Sequence, residues 1–144
     1  MPEMRVVTGL THAPLFSPVV CDVHSGLALQ AFLPVGGLNG LAGLGEIHGV
    51  LSAHYAGEKF VRVMPLESEG NLDDGFFDMT GCNGTNRADV FVFGNAEQVT
   101  VLVRIDNLGK GASGAAVQNM NLLLGCGEGL GLAVDVPITP KSPK

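Results

Sequence analysis

Between Ile105 and Gly125 the chain gathers residue types suited to holding a charged ligand, Lys110 and the glycines Gly109, Gly111 and Gly114, followed by the amides Gln118 and Asn119. Upstream, Val99, Val101, Val103 and Ile105 alternate with Thr100, Leu102 and Arg104, so the region reads as strand, turn and helix. From Ala112 the residues Ala115, Ala116, Met120, Leu123 and Leu124 recur mostly at three- and four-residue spacing, and Gly125 stands where such a helix would end. Ser113 or Gly111 would cap its start. A glycine-rich turn at a helix start presents backbone N–H groups and the positive end of the helix dipole. With Lys110 beside Gly111, it suits a phosphate or another anion. The Gly-x-Gly-x-x-Gly spacing lacks the following strand and the acidic residue about 20 positions on that a dinucleotide loop requires. A turn that lets a small-residue helix lie close on a sheet explains the same glycines and is the commoner reason for them.

Other reactive side chains are scattered. Cys21, Cys82 and Cys126 are odd in number and lack Cys-x-x-Cys spacing, and His12, His24, His48 and His54 show no paired pattern. Neither a disulfide framework nor a metal site is expected.

The elements that must position these groups follow in order. Val6-Val7-Thr8 is a short apolar stretch before the turn-like Thr11-His12-Ala13-Pro14, and Pro14 and Pro18 hold Leu15-Phe16-Ser17 extended. Leu27 to Pro34 reads as a strand, with Leu27, Leu29, Ala31 and Leu33 on one side. The glycine-rich 36–45 reads as a loop. Glu46 to Tyr55 reads as a helix with Ile47, Val50, Leu51 and His54 on one face, ended by Gly57. Phe60 to Met64 is a short strand closed by Pro65, and Leu66 to Met79 is a surface loop with at most one helical turn. Asn83-Gly84 and Thr85-Asn86 make a turn. Ala88 to Phe93 is a strand that Gly94 to Glu97 folds back onto Val99–Ile105 as an antiparallel hairpin. These elements predict an α+β fold, a mixed and mainly antiparallel sheet with two or three helices. A single domain over 1–134 is expected, with a flexible Pro-rich tail over 135–144.

Composition narrows the partners. A net charge of −6 argues against a nucleic-acid backbone. No run approaches the length of a membrane span, and no basic-then-apolar leader opens the sequence, so a cytoplasmic location is expected. Hydrophobic residues make up 46% and charged residues only 15%, which implies that another domain or subunit covers part of the surface.

The run Asp106 to Leu122, with His54–Glu58, Phe60–Val63, Asn83–Asn86 and Val90–Gly94 before it, resembles N-acetyl-gamma-glutamyl-phosphate reductase of the shorter-chain type, from about Pro14 to Leu132. The resemblance implies the C-terminal substrate and dimerisation domain of that enzyme. It implies a fold like the C-terminal domain of the glyceraldehyde-3-phosphate/semialdehyde dehydrogenase group. The reaction it implies is NADPH-dependent reduction of an acyl phosphate to a semialdehyde, in arginine biosynthesis. Such a reaction needs a cysteine nucleophile, a histidine and a Rossmann domain. The family's Gly-Cys-Tyr-Pro-Thr-like turn does not occur in this sequence, so no catalytic residue is assigned. The chain alone is not expected to turn over substrate, and the missing N-terminal Rossmann domain is its implied partner.

Cys82 matches the start of a strand rather than the nucleophile and reads as structural. His12, near a segment that borders the family's active site, reads as solvated, and His54 as an interior helix residue. In the resembled family the signature helix lies under the nicotinamide. Asn119 first and Gln118 second are therefore the expected contacts to its carboxamide, with Lys110 and Gly111 beside them. NADP is expected in the complete enzyme and not tightly on this chain. Asn107 suits an Asx-type bond within the turn. The apolar hairpin Val90–Ile105 suits a sheet face for a partner subunit in a homo-oligomer. The alternative is a non-catalytic dimerising domain derived from the same enzyme. Another member of the semialdehyde dehydrogenase group is set apart by the longer match through Val117-Gln118-Asn119.

Overall fold

The computed structural model describes residues 2–34, 43–66, 72–95 and 97–135. Its framework is a four-stranded sheet of β1 (Leu27–Pro34), β2 (Val61–Val63), β3 (Ala88–Gly94) and β4 (Gln98–Ile105), in the spatial order β1-β4-β3-β2. Around it lie α1 (Pro2–Thr8), α2 (Leu44–His54) and α3 (Gly114–Leu123). The expected α+β class holds, and the sheet is mixed. β1 runs antiparallel to β4 and β4 antiparallel to β3, while β2 pairs in parallel with β3.

Register decides which side chains share a face. Val92 lies opposite Val101, and Val101 opposite Ala31. α2 covers this face with Ile47, which packs with Val92 and Val99, flanked by Leu44, Leu51 and Val101. The next residues along each strand point the other way. Arg62, Asp89 and Arg104 therefore line up across β2, β3 and β4 on the second face. There Phe91 packs edge-on to Phe77, with centroids 5.2 Å apart. Being covered on both faces makes Ala88 to Val92 uniformly buried, which is why its apolar residues do not alternate with solvent-facing ones and its one charged residue, Asp89, is buried with them.

Two turns close the framework. Gly94 has φ +141, and a Cβ there would fall on the Gln98 carbonyl oxygen, so the hairpin requires glycine. Asn95 then accepts the N–H groups of Glu97 and Gln98 on its Oδ1 at 2.9 and 3.0 Å.

Several expectations are corrected here. Pro2 to Thr8 is a short helix, and it buries none of its residues. On α2 only Ile47 is buried, whereas Val50 and His54 are exposed; the helix meets the sheet through Leu44, Ile47 and Leu51, and His48 Nε2 lies 3.0 Å from the Met64 carbonyl just past β2. His54 is not an interior residue; its ring meets Tyr55 edge-on at the helix end. The second face of the Val90–Ile105 hairpin is consumed inside this chain around Phe91. The large apolar side chains left exposed on the sheet are Leu27, Leu29 and Phe32 of the edge strand β1. The expected loop over 36–45 lies largely outside the described residues, as do part of 66–79 and the tail from 136 onward.

The two faces of α2 give a direct test. Ile47→Ala should cost about 2–5 kcal/mol. Val50→Ala should stay within about 0.5 kcal/mol. Urea denaturation of the two variants checks this, and similar losses would contradict the packing described.

Candidate functional site

The chemistry-bearing residues collect in two adjoining places. One is the turn from β4 into α3, and the other is the charged cluster on the second face of the sheet.

In the turn, Gly109 to Ser113 form a wide π-type turn that runs straight into α3. Gly111 N–H donates to the Asp106 carbonyl at 2.8 Å and Ser113 N–H to the Leu108 carbonyl at 3.2 Å, each spanning five residues. The N–H groups expected to face an anion are therefore engaged. Ser113 is no cap either: it is helical, and its Oγ donates back to the Leu108 carbonyl. The anion gathered at this helix start is the chain's own Asp106. Its carboxylate accepts Gly84 N–H and Leu108 N–H, at 2.8 and 2.9 Å. Burial opposes its charge, but the N–H donors of Gly84, Leu108 and Gly109 outweigh that and hold its carboxyl below the ordinary range. Asp106, not Asn107, makes the Asx-type bond. Asn107 instead accepts Gly26 N–H at 2.8 Å and ties the turn to the start of β1.

The glycines are explained by close approach. A Cβ at Gly109 would lie 2.9 Å from the Thr85 carbonyl oxygen, and one at Gly114 would collide with Asn86 Oδ1. The segment Asn83 to Asn86, which the sequence marks as a turn and as part of the family resemblance, thus wraps the signature turn from outside.

Gln118 stands at the centre of the polar groups. Its Oε1 accepts Asn86 Nδ2 at 2.9 Å and Lys110 Nζ at 2.6 Å, and its Nε2 donates to Glu128 at 2.6 Å. Lys110 also sits 5.5 Å from the Phe60 ring centroid. Partial burial lowers its pKa, against the opposing charges of Glu128 and Glu58. Lys110, Gly111 and Gln118 are brought together; Asn119 is exposed on α3 beside them. Of the partners of Gln118, Asn86 is marked in the sequence only within the Asn83–Asn86 segment and not as a contact of this amide, and Glu128 carries no signal of its own.

α3 is turned inside out relative to its pattern. The buried residue in its middle is Asn121, whose Nδ2 donates to the Glu128 and Leu130 carbonyls at 3.0 and 2.9 Å. Met120, Leu122, Leu123 and Leu124 are exposed, Leu123 at 87%.

The charged cluster centres on Asp89, which has no exposed surface. Its Oδ1 accepts Arg87 Nε at 2.8 Å and Arg62 Nε at 3.2 Å; its Oδ2 accepts Arg104 Nε and Nη2 at 3.1 and 3.0 Å. Burial works against this charge, yet Arg87 first and then Arg104 and Arg62 keep the carboxyl below its usual range. Arg104 also donates to the Asp78 carbonyl and lies 5.0 Å from the Phe91 ring centroid. Arg87 reaches the Gly81 and Val134 carbonyls. Cys82 is fully buried beside this cluster. Burial pushes its thiol pKa up, and the Asp89 charge adds to this, so it is a poor nucleophile. His12 is exposed, and its Nδ1 lies 3.0 Å from Thr11 Oγ1. No group of metal-ligating side chains occurs among the described residues.

Two measurements test these carboxylates. Asp89→Ala leaves three guanidinium groups without their buried partner and should cost about 3–5 kcal/mol, against about 0–1 kcal/mol for the exposed Asp135 in Asp135→Asn. Asp89 and Asp106 ionise more readily folded than unfolded. The stability they contribute is whole above the unfolded value of about 4 and lost as pH falls through the lower folded values. The urea midpoint should therefore fall steeply below about pH 4, and Asp106→Asn should lower the neutral-pH midpoint and flatten that fall.

Residues 1–107 match the family described as semialdehyde dehydrogenase, dimerisation domain. The chain is 48% identical over 133 residues to N-acetyl-gamma-glutamyl-phosphate reductase 2 of Nostoc sp., covering 90% of this chain and 41% of that protein. The N-acetyl-gamma-glutamyl-phosphate reductase of Trichormus variabilis is 47% identical over the same coverage. That of Brucella ovis is 42% identical over 127 residues, covering 87% of this chain and 40% of the relative. The chain thus spans about two fifths of the length of these relatives.

Proposed function

The chain belongs to the semialdehyde dehydrogenase dimerisation-domain family, and we propose that it is the C-terminal, substrate-side and dimerising portion of an N-acetyl-gamma-glutamyl-phosphate reductase. The observation that carries this reading is the 48% identity over 133 residues, a length that must run past the family match ending at residue 107. The reaction is the NADPH-dependent reduction of N-acetyl-glutamyl 5-phosphate to its semialdehyde. The nucleophile is not Cys82, whose burial and raised pKa oppose thiolate formation. A cytoplasmic setting accords with three free cysteines, two of them exposed.

The residues of the turn fit one end of the cofactor in part. Gln118 keeps one amide N–H beyond its bond to Glu128, Lys110 Nζ stands beside it, and the Asn119 amide is exposed. Asn119 and Gln118 would hold the nicotinamide carboxamide, with Lys110 nearby, while Gly111, its N–H already given to Asp106, contributes only close approach. The cofactor, when bound, supplies the hydride. Homodimerisation uses the sheet, where β1 is an edge strand among the described residues and exposes Leu27 and Leu29 on one face and Phe32 on the other.

The purified chain should show no NADPH-dependent turnover and should elute at the mass of two chains. Grafted in place of the matching part of the Nostoc reductase, it should restore activity. In that chimera Asn119→Ala should raise the KM for NADPH about three- to tenfold, the worth of one hydrogen bond. Turnover by the isolated chain that Cys82→Ser abolishes, or a folded but inactive chimera, would overturn the proposal.

A further inference from the structure

The arginine cluster holds more positive charge than its buried carboxylate neutralises. Arg62, Arg87 and Arg104 all pair with Asp89, and Arg62 and Arg87 pair with Asp135 as well. Asp89 uses the Nε groups of all three and one further nitrogen from each of Arg87 and Arg104. Arg104 Nη1 goes to the Asp78 carbonyl, and on the outer side stand Arg62 Nη1 and Arg87 Nη1, the latter also donating to the Val134 carbonyl at 3.2 Å. These two converge on one atom, Oδ1 of Asp135, at 3.4 and 3.1 Å.

The two sides of this contact differ. Arg87 is 7% exposed and is held by the carbonyls of Gly81 and Val134, so its outward nitrogen is fixed in place. The Asp135 side chain is 70% exposed and touches the cluster through a single oxygen. Arg62, at 43% exposure, opens the contact to solvent. Two charged N–H donors from different arginines, one of them held by its surroundings, suit an oxyanion, whereas a monodentate, solvated carboxylate on one of its own residues is a weak occupant.

We propose that Arg62 and Arg87 form a binding seat for a small oxyanion, a carboxylate or a phosphate, which Asp135 fills in cis and yields to a free anion. The seat lies on the second face of the sheet, on groups distinct from Lys110, Gln118 and Asn119, so it does not depend on the cofactor assignment above. Asp89 makes it possible by fixing the inner edges of both guanidinium groups, and the surplus positive charge draws the anion.

Isothermal titration of the chain with inorganic phosphate, and separately with succinate, tests the seat. Asp135→Asn should bind at least one of the two about fivefold more tightly than the unaltered chain, because the internal competitor is gone. Adding Arg62→Gln to that variant should abolish the gain, and Arg62→Lys should recover only part of it, since one ammonium cannot hold Asp89 and reach the seat as two guanidinium nitrogens do. Circular dichroism confirms that each variant is folded; if those at Arg62 are not, the comparison of Asp135→Asn with the unaltered chain decides alone. Equal affinity in those two proteins, no binding by Asp135→Asn, or a gain that survives Arg62→Gln overturns the proposal.

Discussion

One wholly buried carboxylate holds the sheet to everything packed on its second face. Asp89 sits on β3 and receives guanidinium groups from β2, from β4 and from Arg87 two residues before it on its own chain. Each arginine then reaches onward: Arg104 to the Asp78 carbonyl and two phenylalanine rings, Arg87 to Gly81 and Val134. Loop segments with few apolar anchors of their own are fastened to the strands through this charge. An ion buried this deeply is stable only when its lone pairs are filled, and here five N–H donors fill them.

Asp106 repeats the device on a smaller scale with neutral donors. Its carboxylate and carbonyl together collect Gly84, Leu108 and Gly111, and so fix the path from β4 into α3. The turn that seemed built to receive an outside anion is instead completed by an internal one. This leaves Lys110 and the amides of α3, rather than the backbone, as the polar groups presented beside it.

Much of the framework was legible in the sequence because strand alternation and turn chemistry are local signals. The span Leu27–Pro34, the β3–β4 hairpin and the glycine end of α3 are all of that kind. What misled was burial. Periodicity says which residues of a helix share a face but not whether the protein lies behind that face. Leu123 and Leu124 share one with Met120, yet solvent meets it, because Asn121 and Gln118 find their partners in 128–130 and Asn86. His54 was misplaced for the same reason. The arginine cluster was invisible, since Arg62, Arg87 and Arg104 meet Asp89 only through strand register. In the turn, glycine spacing was read correctly as special, but the reason lay in Thr85 and Asn86, more than 20 residues upstream.

The wide turn at Gly109–Ser113 also sets the azimuth of α3. Five-residue hydrogen bonding accommodates one residue more than an α-helical turn would, without changing the axis. Shortening that turn by one residue would rotate everything beyond it by about 100°. Gln118 would swing away from Asn86 and Lys110, and Asn121 from the carbonyls of Glu128 and Leu130. The helix would survive as a helix while its amides addressed empty solvent, so this stretch tolerates substitution at its exposed positions far better than it tolerates a change of length.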